Sequence, residues 1–337
     1  MQSSTRQGQP AVVHAVSVSA QFVPGYQNFA APSGGTLIAV GNFDGVHLGH
    51  RALLEFALAQ ARSLSLAPVA MTFDPHPTKV LSNAVPTILT TTARKVELMV
   101  RIAPELRIIV QPFDEAFSRI EAEKFVSEIL LKSLQARYVL VGKNFHFGRG
   151  RRGNHDLLRE MAASLDFAAH AFELSGDAAG TFSSSRVRSE LIAGRLDDVA
   201  GMLGRPHAIS GVVAAGDGRG RTLGFPTANL EEITEGLPPA GVYTCIVDQL
   251  SEGIEPLRLG MGVMSLGPRP TVDRGHAVEV YLLDFSADLY GKHLRVHLIH
   301  RLRGIEKFAG VAELQAQIKV DIDQARGLLA DVASRVF

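Results

Sequence analysis

The chain has 337 residues, more than one hydrophobic core usually serves, so two domains are expected. Its 34 basic and 34 acidic residues cancel, which excludes recruitment of nucleic acid or an anionic membrane by a global field. One cysteine, Cys245, excludes an internal disulfide, and no apolar run reaches the ~18 residues of a membrane span.

The N-terminal segment has a single cation before position 20, Arg6, and no unbroken apolar stretch, so a signal peptide is not expected and the cytoplasm is. Residues 1–35 carry no nameable chemistry. From 36 to 174, short apolar runs (TLIAVGNF, APVAMTFD, RIIVQPF, YVLVGKN, AAHAFEL) alternate with amphipathic stretches (HRALLEFALAQARSL, TTARKVELMV, EAEKFVSEILLKSL, NHDLLREMAASL). That alternation predicts a parallel sheet covered by helices on both faces, with ligands at the carboxyl ends of its strands. Two further helices, about 185–194 and 196–204, close this half. After Arg205-Pro206 the runs become short, β-branched and turn-bounded (GVVAA, GVYTCIVDQL, LRLGMGVMSLG, AVEVYLLDF, HLRVHLIHRL), which predicts an antiparallel barrel or sandwich. A helix over about 311–330 follows. There is no internal repeat.

Gly41-Asn42-Phe43-Asp44-Gly45-Val46-His47-Leu48-Gly49-His50 lies between a strand and a helix. Its glycines permit a sharp turn and close ligand approach, and two histidines in a first helical turn would share a face near the positive end of the helix dipole. Donors so placed suit an anion such as phosphate. A plain tight turn, or a metal site of Asp44, His47 and His50, fits the spacing equally. Gly148-Arg149-Gly150-Arg151-Arg152-Gly153 satisfies the dinucleotide fingerprint, with Glu173 where a ribose-binding acid would sit, so an NAD-dependent oxidoreductase is a rival. Against it, the fingerprint is not on the first strand and holds three arginines. Ser183-Ser184-Ser185-Arg186-Val187-Arg188 opens a helix; such a run is either an N-cap or a phosphate site.

The second half has no P-loop lysine motif. Gly216-Asp217-Gly218-Arg219-Gly220-Arg221-Thr222-Leu223-Gly224-Phe225-Pro226-Thr227-Ala228-Asn229 can instead form an anion-binding concavity or simply a glycine-rich hairpin. Thr227 and Asn229, two apart in extended chain, offer hard oxygens to one side. Glu279 sits in an alternating strand, where a glutamate is ordinarily solvated.

Together these motifs resemble a known family. The strand-HxGH-helix context and the serine-arginine segment resemble the nucleotidylyltransferase superfamily, with Ser185 at a usual threonine. VGKNFHFGRGRRG is similar to the flavin-binding segment of bacterial FAD synthetases, with Asn144 and His146 replacing the commoner Asp and Arg. GRGRTLGFPTANL resembles the riboflavin kinase signature. GVYTC, MGVMSLGPRPTV, VEVYLLDFSADLYGKHLRV and LRGIEKFAG follow in family order, with Ser265 and Tyr281 replacing the commoner Asn and His. The resemblance covers about 36–330.

It implies an HxGH-type α/β nucleotidyltransferase domain at 1–205 and a six-stranded barrel kinase domain at 206–337. The substrates implied are riboflavin, FMN and ATP, with Mg²⁺. It further implies ATP binding by Gly41, Phe43, Asp44, His47, His50, Ser184, Ser185 and Arg188, and flavin binding by Asn144, Phe145 and Phe147. In the kinase it implies phosphate binding by Gly218, Arg219, Gly220, Arg221 and Gly224, metal ligation by Thr227 and Asn229, Glu279 as general base and flavin contact by Arg303. His47 and His50 would join Glu279 as catalytic residues. A relative keeping one activity, or a non-catalytic flavin binder, would share the motifs. Neither nucleic acid nor membrane is expected as a partner; the oligomeric state is left open.

Overall fold

The computed structural model describes residues 21–82, 87–216, 218–252, 254–268 and 276–332. Six strands form one parallel sheet: β1 (Phe22–Pro24), β2 (Thr36–Val40), β3 (Ala67–Asp74), β4 (Arg107–Pro112), β5 (Ala136–Gly142) and β6 (Ala168–Phe172). Their order is β1-β4-β3-β2-β5-β6. Five are the apolar runs of the sequence. β1 was not expected, because three residues show no period; it extends the sheet along Ile108–Val110.

Successive side chains of a strand point to opposite faces, and here both faces are buried. In β2, Leu37 and Ala39 join the cluster of Leu53, Leu54 and Ala57 from the helix Leu48–Ser63. Ile38 and Val40 join Phe125, Val126 and Ile129 on the other side. The expected helix over 121–134 is wound as a π-helix from Phe125 to Ser133, with the Leu134 N–H reaching Ile129 O at 3.0 Å. From β2 the chain steps outward to β3 and β4, then crosses back to β5 and β6. Strand order therefore reverses at β2, and such a switch point opens a crevice at the carboxyl ends.

A small hairpin, β7 (Gly176–Asp177) and β8 (Gly180–Thr181), leads to the helices Ser184–Ile192 and Leu196–Leu203. Six antiparallel strands then close into a barrel: β9 (Ala208–Ala214), β10 (Ala228–Glu231), β11 (Gly241–Ser251), β12 (Ile254–Pro268), β13 (His276–Leu282) and β14 (His293–Arg303). The order is β10-β13-β12-β11-β14-β9, and closure leaves no free edge. Alternate residues such as Val213, Cys245, Met264, Val280 and Val296 fill it. The helix Val311–Leu329 lies outside, its Ala325 and Leu329 against Ile246, Leu283 and Ile299.

The barrel's apolar cluster does not stop at Arg205-Pro206. It continues through Val187, Leu191, Leu196, Val199, Met202 and Leu203 of the two preceding helices. Each such side chain contributes about 1.5–3 kcal/mol by burial. A fragment of residues 206–337 should therefore melt well below one of 183–337, or be insoluble; equal melting temperatures would show that these helices belong to the first half alone.

Candidate active sites

The turn after β2 occupies the switch-point crevice. Phe43 (φ 49°), Gly45 (φ 81°) and Val46 (φ 39°) all take left-handed backbone, unusual for Phe and Val. Such a turn persists only where its surroundings over-determine it. Buried Asp44 does much of this. Its carboxylate accepts from Leu89 N at 3.0 and 3.2 Å, from Thr90 N at 3.2 Å and from Thr90 Oγ1 at 3.4 Å, and it pairs with Arg188. Ser184 Oγ donates to Asp44 O at 2.8 Å, and Arg188 Nε to Thr87 O at 2.7 Å. Arg205 Nη2 reaches Gly45 O at 2.7 Å, and its Nη1 reaches Val46 O at 3.1 Å. Ser183 is the N-cap of its helix, and Ser185 is exposed. The two sequence motifs, 140 residues apart, thus close on one loop. Asp44, Ser184 and Arg188 Nη2 serve the loop itself, and Arg188 Nε is taken by Thr87 O. No group of three His, Cys, Asp or Glu side chains converges as metal ligands among the described residues, so the alternative metal site is not formed.

His47 is the helix N-cap, one position before the expected helical turn, and its Nδ1 accepts from His50 N at 3.3 Å. That bond fixes the proton of a neutral His47 on Nε2. The two rings stack with centroids 3.7 Å apart, and Phe43 lies edge-on to His50 at 5.2 Å. Burial pushes His47 down to about 4. Burial, then His47 and Lys95, hold His50 well below the ordinary histidine range. Both rings are neutral at pH 7: they are donors, not cations.

Lys95 was missed in sequence, where it reads as an ordinary charge on an amphipathic helix. It is buried on the helix Thr92–Ile102, and Nζ donates to Asn42 O at 3.2 Å and Phe73 O at 3.1 Å. Burial lowers it to about 8. The only available signal is that residues 94–99 are buried without a gap, which a sequence pattern does not show.

Beside the crevice, Phe73, Phe113, Phe117, Phe125 and Phe147 line a cavity of about 290 Å³. Of the expected flavin contacts, Phe147 lines it, Phe145 stacks on Phe147 at 6.1 Å, and Asn144 is exposed outside. The dinucleotide fingerprint is a loop over this cavity, closed by Phe147 N to Gly153 O at 3.0 Å and the reciprocal bond at 2.9 Å. The next helix is capped by Asn154, and Glu173 pairs with Lys143 at 2.5 Å. That arrangement removes the oxidoreductase reading. Gly153 is glycine because a Cβ would sit 2.5 Å from the Phe147 ring.

In the barrel, β10 and β13 set Asn229 directly opposite Glu279, and Thr227 Oγ1 donates to Glu279 Oε2 at 3.4 Å. Ser265 lies in β12 on the other side of Glu279. The glycine-rich segment is one helical turn, Arg219–Thr222, rather than a hairpin. It approaches closely: a Cβ on Gly216 would fall 2.2 Å from Asn229 Nδ2, and one on Gly220 3.0 Å from Thr227 Oγ1. Gly218 and Gly224 have positive φ, and Arg221 with Thr227 lines an adjoining cavity of about 600 Å³. Asp217, the Arg219 side chain and residues 269–275 lie outside the described residues. Arg303 is bound to Asp321 (2.7–3.2 Å) and to Gly304 O at 3.2 Å, so it straps the last helix to the barrel.

Fold and sites define a two-part transferase: an HxGH-type nucleotidyltransferase sheet joined to a barrel kinase. Family models agree, FAD synthetase matching residues 30–186 and riboflavin kinase 203–329. A bifunctional riboflavin kinase/FMN adenylyltransferase of Escherichia coli K12 is 37% identical, covering 91% of this chain and 97% of its own. One from Pseudomonas fluorescens is 33% identical, covering 94% and 100%. A crystal structure from Streptococcus pneumoniae reported as a macrolide-efflux protein superposes with TM-score 0.77 at 27% identity, covering 91% of this chain and 99% of that one. The chain belongs to the bifunctional riboflavin kinase/FMN adenylyltransferase family. No helix among its described residues is long and apolar enough to cross a membrane.

His47, His207 and His297 are each lowered by burial to about 4. Their unfolded forms take up protons near 6.5 and their folded forms do not, so stability falls as pH drops from about 6.5 towards 4. Melting temperature measured across that window should fall steeply, with three or more protons taken up on unfolding because His50 is lowered as well; a flat profile would place these rings in contact with water.

Proposed function

We propose that the chain makes FAD from riboflavin in two ATP-dependent steps, one in each half. The observation that carries this reading is the closing of two distant motifs, His47/His50 and Ser184/Arg188, on one strained loop at the switch point. In the barrel, Glu279 would accept the proton of the ribityl 5′-hydroxyl while its oxygen attacks the γ-phosphorus of ATP and ADP departs. Thr227 beside it and Asn229 opposite fit a hard cation by their oxygen donors, and Mg²⁺ held there would neutralise phosphate charge. Gly218, Gly220, Gly224, Arg219 and Arg221 are the proposed phosphate contacts, and Gln315, bonded to Leu223 O at 3.1 Å, ties that segment to the last helix. Arg303 would act by holding that helix rather than by touching flavin.

In the sheet domain, an FMN phosphate oxygen would attack the α-phosphorus of ATP and pyrophosphate would leave. The isoalloxazine ring is assigned to the phenylalanine-lined cavity. The Nε2–H of His47, the His50 ring and the free N–H groups of the helix start would meet negative charge as it develops on phosphate. Neutral donors here need no reorganisation during transfer. The proposed location is the cytoplasm, where ATP is supplied.

Incubation with riboflavin, ATP and Mg²⁺ should yield FMN and then FAD; FMN alone or unchanged riboflavin would refute one step or both. His47→Ala and His50→Ala should each lower FAD formation by ~10²-fold or more while sparing FMN formation. Glu279→Gln should lower FMN formation by ~10²–10⁴-fold, with riboflavin binding little changed. FAD formation from supplied FMN should survive in that variant. Riboflavin phosphorylation at the parent rate would make Glu279 an ordinary strand residue.

A further inference from the structure

The adenylylating turn is held by residues 88–90, and those residues are in turn held by the kinase half. Gly236 N donates to Ile88 O at 2.8 Å, and Ile88 forms a parallel bridge with Glu235. His207 Nε2, neutral by burial, donates to Gly236 O at 2.8 Å, and Ser210 Oγ donates to Glu235 Oε1 at 2.6 Å. His207 precedes β9 and Ser210 lies within it, so the loop 235–236 is fixed to the barrel wall. The next two residues of the strap, Leu89 and Thr90, give Asp44 its backbone N–H donors. The Leu89 side chain joins the barrel's apolar cluster and also presses on the turn, where a Cβ on Gly45 would meet Leu89 Cδ1 at 2.9 Å.

A second fastener follows immediately in the chain. The helix Thr92–Ile102 begins two residues after Thr90, and its buried Glu97 binds Arg295 of β14 at 2.7 and 3.3 Å. Glu97 also holds Arg94 at 2.6 Å and Arg101 at 2.9 Å. The same helix carries Lys95 into the crevice. Both ends of this unit, strap and helix, are therefore set by barrel residues.

We infer that Gly236 and Arg295 of the kinase half are positioning residues for adenylyl transfer, acting through the strap Ile88–Thr90 and the helix Thr92–Ile102. Neither bonds to the Gly41–His50 turn: Arg295 binds Glu97, and Gly236 binds Ile88 and His207. They fix the Asp44 carboxylate from behind, and through it the left-handed backbone that aims the turn's N–H groups and histidines. Displacements of about 1 Å in such a framework can cost up to about 10²-fold in rate. The inference rests on the assignment of the Gly41–His50 turn to FAD formation, which His50→Ala tests separately.

The test uses the full chain. Gly236→Val drives a side chain into Thr87 and Leu191, since even a Cβ there would lie 2.8 Å from Thr87 Cγ2 and 3.0 Å from Leu191 Cδ2. Arg295→Met cuts the second fastener while leaving Glu97 its pairs with Arg94 and Arg101. FMN formation from riboflavin, measured on the same preparation, serves as the folding control. In both variants, kcat for FAD formation should fall about ten- to a hundredfold relative to kcat for FMN formation. The KM for FMN should hold within about twofold, because no residue of the strap or of the helix Thr92–Ile102 lines the phenylalanine cavity. The inference is overturned if the ratio of the two rates is unchanged or raised in either variant, or if the loss appears in KM for FMN rather than in kcat.

Discussion

The buried carboxylate of Asp44 is the constraint on which the Gly41–His50 turn depends. A phenylalanine and a valine in left-handed backbone each cost about 1–3 kcal/mol. Hydrogen bonds to a charged acceptor, about 1.5–3 kcal/mol each, oppose that strain. Asp44 collects such bonds from Leu89, Thr90 and Arg188, which come from two separate parts of the chain. The turn is consequently a product of the whole domain. Removing the carboxylate would leave buried donors unsatisfied as well as releasing the loop.

Charge is handled differently in the crevice and behind it. Behind, Glu97 gathers Arg94, Arg101 and Arg295, three guanidinium groups around one buried carboxylate. A buried network of this kind adds little net stability, because desolvation consumes most of the attraction. Its geometry is demanding, which makes it a device for fixing the position of one half against the other. In the crevice, Lys95 donates only to carbonyl oxygens, and the histidines are kept neutral. Lys95 and the two neutral histidines thus stay outside the Asp44–Arg188 pair.

The barrel solves its problem by strand pairing. Glu279 lies about fifty residues from Thr227 and Asn229 in sequence, yet β10 against β13 sets Asn229 opposite Glu279 with Thr227 at hydrogen-bond distance. Close glycine contacts bring the glycine-rich segment onto the same spot. Register, fixed by an apolar interior, does the positioning.

The sequence by itself determined the element types, the division of labour and the motifs. Hydrophobic period is a local property, so the parallel sheet, an antiparallel barrel or sandwich and the last helix were legible, as was the Gly41–His50 turn between a strand and a helix; only the resemblance implied the barrel. Three-residue β1 lacked a period, and the π-wound stretch reads as an ordinary helix. Only the tertiary structure decided what each polar residue faces. Asp44, Ser184 and Arg188 look like ligand contacts in sequence, but folding turns most of their bonding groups onto one another and onto residues 87–90. Arg303 is spent on Asp321, and Lys95 enters the crevice from a helix whose sequence suggests nothing of the kind. The joining of the barrel's core to helices 184–203 was equally hidden. The reason is common to all: burial and pairing depend on which residues meet across the fold, and distance along the chain carries no record of that.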